Sequence, residues 1–258
     1  MEHHRYALEL SYHGRAYYGW QRQSGQVSVQ QVLEEALSNI LGKHTEVTGC
    51  GRTDRGVHAY NYWAHFDSGR SLKEPFLPRL NKHLPADIAI HAIHEMDSHW
   101  HARYDAVTRT YRYYIHYNKD PFLNDRSFWL RTFRPDMKMM EEACELLKHY
   151  NDFGIFEKKG SDTKNAICDI RSAGWKKEAG RAMVYYFEIS ANRFLRNMVR
   201  RITSTMLEVG IGRLSLQELK DALDGNAALK SGMAVPAAGL HLWDITYNNL
   251  IVSGEGKK

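Results

Sequence analysis

The sequence predicts an α+β protein made of two ferredoxin-like (split βαβ) halves with antiparallel sheets, and three observations lead there. Apolar patterns follow the order strand, helix, strand, strand, helix, strand, and that order occurs twice along the chain. Helix starts are marked by Ser28-Val29-Gln30-Gln31 and Ser215-Leu216-Gln217-Glu218, both of capping-box form. The length, 258 residues, suits two cores of about 100–130 residues each.

In the first half, residues 5–11 alternate as a strand. The Ser28 box opens a helix whose Leu33, Leu37, Ile40 and Leu41 face a core, and Gly42 stops it. Strands at 45–50 and 59–66 flank a charged loop, a helix follows at 75–83, and a strand at 88–93 closes the set. In the second half residues 110–117 form a strand, and Pro135-Asp136 starts a helix through Leu146 and Leu147 to residue 150. Strands at 170–177 and 183–191 are joined by a Glu178-Ala179-Gly180 turn. A long helix at 194–209 ends at Gly210, a shorter one begins at Ser215, and 240–247 is the last strand. The boundary falls near residue 107, giving domains 1–107 and 108–258 with no flexible linker. Residues 151–168 read as a long loop of functional type, in which 157–165 fit no pattern. The tail at 253–258 is expected to be disordered.

Hydrophobic residues make up 43% and charged residues 25%, as in globular proteins generally. Lys and Arg number 35 against 30 Asp and Glu, a net charge of +5 that leans mildly toward an anionic partner. Fifteen tyrosines and six tryptophans supply flat faces on which bases can stack. Cys50, Cys144 and Cys168 are odd in number and lack metal-ligand spacing, so they read as reduced thiols. Residues 1–5 run straight into a strand, with no apolar signal region and no bilayer-length run, which points to a cytoplasmic protein without a membrane partner.

The most informative stretch is Gly49-Cys50-Gly51-Arg52-Thr53-Asp54-Arg55-Gly56-Val57-His58. It sets one carboxylate, Asp54, in a tight loop between Arg52 and Arg55, with Gly51 and Gly56 relaxing the backbone. His58 suits ordering of this loop better than titration in catalysis. A single carboxylate without a second acid or a metal set does not suit glycoside hydrolysis, which usually needs two acids. His91, His94, His99 and His101 cluster in sequence without a familiar ligand spacing, so no metal is expected. In 109–115, alternation puts Tyr111 and Tyr113 on one strand face and Arg112 and Tyr114 on the other. On the long helix, Leu195, Met198, Val199, Ile202 and Met206 form an apolar stripe, with Arg193, Arg196 and Arg200 on a neighbouring face.

The string Gly-Arg-Thr-Asp-x-Gly-Val-His-Ala around Asp54 closely resembles the signature of the tRNA pseudouridine synthase A family. Tyr18-Gly19-Trp20-Gln21-Arg22-Gln23 is similar to its N-terminal motif, and His101-Ala102-Arg103 with Arg109-Thr110-Tyr111-Arg112-Tyr113 to its second. Residues 192–201 resemble its Phe-Leu-x-x-Met-Val-Arg helix, and Ala238-Gly239-Leu240-His241-Leu242 its terminal strand. The resemblance implies that Asp54 is the catalytic residue and that Tyr111 lies against the target uracil. It also implies that Arg200 holds the Asp54 carboxylate, and that Arg52 engages the RNA where the target base has left its stack. Two features depart from the family pattern: Arg55 stands where many relatives have a small residue, and Arg193, Arg196 and Arg201 give the motif helix extra positive charge; of these, Arg55, Arg193 and Arg196 are read as RNA contacts. The implied function is isomerisation of uridine to pseudouridine at positions 38, 39 and 40 of the tRNA anticodon arm. A homodimer with a basic RNA-binding cleft and no cofactor goes with it. Two rivals stand beside it: a non-catalytic RNA-binding protein on the same scaffold, and a metal-dependent hydrolase resting on the histidines.

Overall fold

Residues 4–158, 160, 165–229 and 233–248 are described by the structure, a computed structural model. The regular elements in chain order are β1 (His4–Tyr12), α1 (Val29–Leu41), β2 (Thr48–Gly49), β3 (His58–Ser68), α2 (Phe76–His83), β4 (Ile88–Met96), β5 (Ala106–His116), β6 (Phe128–Trp129), α3 (Met137–Leu147), β7 (Ile170–Lys177), β8 (Val184–Ala191), α4 (Met198–Gly210), α5 (Leu216–Leu223) and β9 (Leu240–Tyr247). The fold is mixed α+β with mostly antiparallel strand pairing; β5 with β6 is a parallel pair. No helix among the described residues is long and apolar enough to cross a membrane. The tail at 253–258 and residues 159 and 161–164 of the long loop lie outside the described residues.

The chain divides into two units, Met1–Val107 with Leu242–Lys258, and Thr108–His241. The end of the chain, grouped by the sequence with the second half, clusters with the first unit because β9 lies beside β3. There Asn61 Nδ2 donates to Asp244 Oδ1 at 2.8 Å, the Tyr60 and Trp243 rings lie 4.5 Å apart, and the Tyr247 hydroxyl donates to the Ala102 carbonyl at 2.6 Å.

Unit one carries the strand order β4-β1-β3-β9, with β2 pairing on β3. Leu8 is opposite Ala64 on one side and Ile93 on the other, all antiparallel. Helices α1 and α2 pack on each other, burying Val29, Leu33, Leu37, Phe76 and Leu80. Ser28 caps α1 by accepting from the Gln31 amide, and Gly42 ends it at φ 72°. The reciprocal arm of the expected box is missing, because the Gln31 side chain donates to Glu35 instead. β2 is also shorter than the predicted 45–50. Side chains of α1 take the main-chain groups that a longer strand would pair: Gln30 donates to the Val47 carbonyl at 2.8 Å, Glu34 accepts from the Val47 amide at 3.2 Å, and Ser38 accepts from the Thr45 amide at 3.0 Å.

Unit two carries the order β5-β8-β7, in register from Arg109 opposite Ala191 to His116 opposite Val184. Asp136 caps α3, whose Met140, Ala143, Cys144 and Leu147 are buried and meet α4, with Cys144 Sγ 3.9 Å from Met206 Sδ. Gly210, read from the sequence as a helix stop, serves close packing. A methyl group there would sit 2.7 Å from Pro135 Cβ and 2.8 Å from Met140 Cγ, while the left-handed residue is Gly212 at φ 72°. The predicted helix start at 194 is corrected to Met198, because Asn197 takes the left-handed region at φ 64°. Arg193 and Arg196 therefore precede the helix and do not share a helical face with Arg200.

Candidate active site

The Asp54 loop is built against residues 14–21, which run antiparallel to it. The Gly56 amide donates to the Tyr17 carbonyl at 3.3 Å and the Trp20 amide to the Thr53 carbonyl at 3.2 Å. That register sets Tyr18 opposite Arg55, Gly19 opposite Asp54 and Gln21 opposite Arg52. Gly19, at φ +88°, is the residue this approach requires: a methyl group there would lie 2.2 Å from the Thr53 carbonyl oxygen. One turn earlier, a methyl group on Gly14 would lie 2.0 Å from the Val57 carbonyl oxygen.

Side chains complete the clamp. The buried Tyr12 hydroxyl and Thr53 Oγ1 are 2.8 Å apart, and the Tyr62 hydroxyl donates to the Gly51 carbonyl. Trp20 stacks on Tyr62 with ring centres 4.1 Å apart, directly over Gly49, where any Cβ would strike both rings. His58 is buried at the start of β3, and its Nδ1 accepts from the Gly14 amide at 3.1 Å, which ties loop and track together. The Tyr17 hydroxyl donates to Asp87 Oδ1 at 2.5 Å; burial first, then that carboxylate, push its pKa up. With Thr53, Val57 and His58 buried, the loop leaves Asp54 half-buried and Arg52 and Arg55 exposed. Arg52 Nε donates to Gln21 Oε1 at 3.3 Å, and the Arg55 guanidinium lies 4.1 Å over the Tyr18 ring.

The remaining expected site residues belong to unit two. Tyr111 sits on β5 opposite Ile189, half-buried, with the Phe194 ring edge-on to it at 5.2 Å. Its strand neighbour on the same face, Tyr113, is fully buried: its hydroxyl donates to the Pro236 carbonyl at 2.8 Å, and its ring leaves no room for a side chain at Gly239. Burial pushes the Tyr113 hydroxyl pKa well up, against the pull of the Arg200 charge. Arg200 is half-buried near the start of α4, its Nε donating to the Val235 carbonyl at 2.8 Å and its Nη1 to Asn197 Oδ1 at 3.1 Å. Arg193 donates to Asn165 Oδ1 at 3.1 Å, and Arg196 is exposed while its carbonyl accepts from the Lys158 amide.

The histidines that suggested a hydrolase go to separate partners. His91 meets Ser11 at 2.8 Å, His94 meets Glu9 at 2.6 Å, and His101 Nδ1 accepts from the Arg103 and Tyr104 amides. Among the described residues no three His, Cys, Asp or Glu side chains are grouped to hold a metal ion.

Sequence reasoning missed Tyr12, Tyr62 and Phe194. Tyr12 lies 41 positions from Thr53 and outside any motif; the aromatic content of 59–66 pointed toward Tyr62, and the Phe-Leu-x-x-Met-Val-Arg stretch toward Phe194.

A family model described as tRNA pseudouridine synthase matches residues 10–105 and 143–248. A protein of Parabacteroides distasonis named tRNA pseudouridine synthase A is 42% identical over 245 residues, which cover 94% of this chain and 96% of that one. The protein of that name from Bacteroides fragilis is 42% identical over 94% of this chain and 96% of its own length. The one from Chlorobium luteolum is 37% identical over 93% and 94%. With matches of this extent, the chain belongs to the tRNA pseudouridine synthase family.

Proposed function

We propose that this protein isomerises uridine to pseudouridine in tRNA, at positions 38, 39 and 40 of the anticodon arm, with Asp54 as the catalytic carboxylate. The observation that carries the reading is the clamped loop: buried neighbours hold the backbone still while one half-buried carboxylate stands between two exposed arginines. The loop lies within the matched family region, and the relatives above bear the name of the activity.

The reaction breaks the bond from C1′ to N1, with the bonding electrons leaving on the uracil. The base turns, C5 bonds to C1′, the proton on C5 is lost, and N1 ends protonated, so no atom is gained and nothing is oxidised. An ionised carboxylate fits either as nucleophile toward C1′ or as base. The target must leave its stack to be reached, as for other enzymes that act on the nucleoside. Tyr111, Arg52 and Arg200 are assigned to the target nucleotide, and Arg55, Arg193 and Arg196 to RNA around it. Two split βαβ halves, a homodimer and a cytoplasmic enzyme without cofactor or metal belong to the same reading.

The test is to incubate the purified protein with unmodified tRNA and map pseudouridine along it. Pseudouridine confined to positions 38–40 is expected. None at any uridine would overturn the function, and pseudouridine only elsewhere would overturn the anticodon-arm assignment.

A further inference from the structure

We infer that Tyr18 and Arg55 form a stacking subsite for the base of a nucleotide next to the target uridine; the inference rests on the reading of this chain as a tRNA-modifying enzyme. Arg55 follows Asp54 directly, and its guanidinium carbon lies over the Tyr18 ring, 4.1 Å from the ring centre. Both partners reach the surface, with Tyr18 37% exposed and Arg55 exposed, so the pair is open to a ligand. The platform is held from below. The Tyr18 amide donates to the Val27 carbonyl at 2.9 Å, its carbonyl accepts from Gln23 Nε2 at 3.0 Å, and the Gly19 approach locks track to loop.

Charge points the same way. Arg22, on the same stretch, is neutralised by Glu34 at 2.8 Å, whereas among the described residues no carboxylate lies within ion-pair distance of Arg55. An arginine stacked on an aromatic by one face offers the other to a nucleobase, and its charge suits the phosphodiester beside that base. Arg52, on the far side of Asp54, donates through Nε to Gln21, and among the described residues no aromatic ring underlies its guanidinium. With Asp54 assigned to C1′ of the target, a base taken by the adjoining Arg55 and Tyr18 would be that of a neighbouring nucleotide.

The experiment measures kcat, KM and tRNA affinity for the wild type, Arg55→Ala, Arg55→Lys, Tyr18→Leu and Tyr18→Phe. Each is assayed with intact tRNA and with tRNA abasic at each nucleotide flanking the target. Arg55→Ala and Tyr18→Leu should raise KM about five- to thirty-fold, the lower part of the range for one lost base stack, with kcat within about twofold. Tyr18→Phe, which keeps the ring, should rescue most of the loss seen with Tyr18→Leu, and Arg55→Lys little of that seen with Arg55→Ala. One abasic position should weaken the wild type by a similar factor and Arg55→Ala no further. Full recovery by Arg55→Lys would make the residue a phosphate contact only. A fall in kcat at constant KM would make the pair a loop clip, and equal abasic penalties in both proteins would remove the subsite. Any of these overturns the inference. A wild type that forms no pseudouridine would instead overturn the reading beneath it.

Discussion

The Asp54 loop and the start of α4 hold their charged residues in opposite ways. Around Asp54 the scaffold is backbone against backbone, closed by Gly19, Gly14 and buried tyrosines, while Arg52 turns to Gln21 and Arg55 to the Tyr18 ring. At α4 the arginines are themselves the scaffold. Arg200 reaches the Val235 carbonyl, Arg201 the Glu157 carbonyl, and Arg109, from β5, the Asn192 carbonyl. In unit one, chemistry and support can thus be separated by mutation; in unit two, removing a charge also removes a tie. Stability and activity should accordingly part company in the first region and fall together in the second.

Among substitutions of the scaffold, the largest effect is expected at Gly19. Gly19→Ala has to move the Thr53 carbonyl away from a 2.2 Å clash, and displacing a reacting group by about 1 Å costs on the order of 10²-fold in rate. Gly25→Ala is the control in the same stretch. Its φ of +72° carries a left-handed penalty of about 1–2 kcal/mol, but no atom lies within 4 Å of the added methyl, so turnover should be unaffected. Equal kinetics for the two variants would break the claim that Asp54 is placed by backbone contact. Next comes Arg200→Met, which loses a charged hydrogen bond to Val235. Unfolding stability should drop by about 1.5–3 kcal/mol together with activity. Lost activity at unchanged melting temperature would show that the two regions are built alike.

A pH effect belongs to the interior of unit one. Burial first, then the charges of Arg5 and His101, lower the pKa of His65 from 6.5 to about 4, and its neutral Nδ1 accepts from the Ala102 amide at 3.2 Å. The unfolded chain therefore binds the extra proton first. The contribution is whole above pH 6.5, falls as pH drops through the window, and is spent below about 4, a total of about 3 kcal/mol. Urea unfolding between pH 7 and 4 should show a shallower decline for His65→Asn than for the wild type; parallel declines would contradict it. The smallest effect is expected for Tyr12→Phe. It removes one buried hydrogen bond worth about 1 kcal/mol and should slow turnover about tenfold or less without altering tRNA affinity. Thr53→Val, combined with it, should add little.

Much of this was legible from periodicity and caps. β7 and β9 have the predicted ends, and the Ser215 box forms completely. Local pattern failed where distant groups decide. The main chain of 45–47 is claimed by α1 side chains, and Asn197 turns left-handed just where the apolar stripe predicts helix. The Asp54 loop announced itself through its charge and glycines, yet the clamp did not. Tyr12 meets Thr53 from 41 positions away, and no spacing rule joins a strand end to a loop at that distance. Gly210 reads from the sequence as a helix stop and Gly19 as one residue of a motif, whereas the space they leave is what the fold uses.

Asp54→Asn offers the most direct test, measured as single-turnover pseudouridine formation on tRNA alongside tRNA affinity and melting temperature. An amide keeps the loop's shape but cannot serve as nucleophile or base. Turnover should fall by about 10²–10⁴-fold or more, while affinity stays within a few fold and melting temperature is unchanged. Substantial turnover by that variant, in a preparation free of host enzyme, would contradict the assignment of Asp54 and the function built on it.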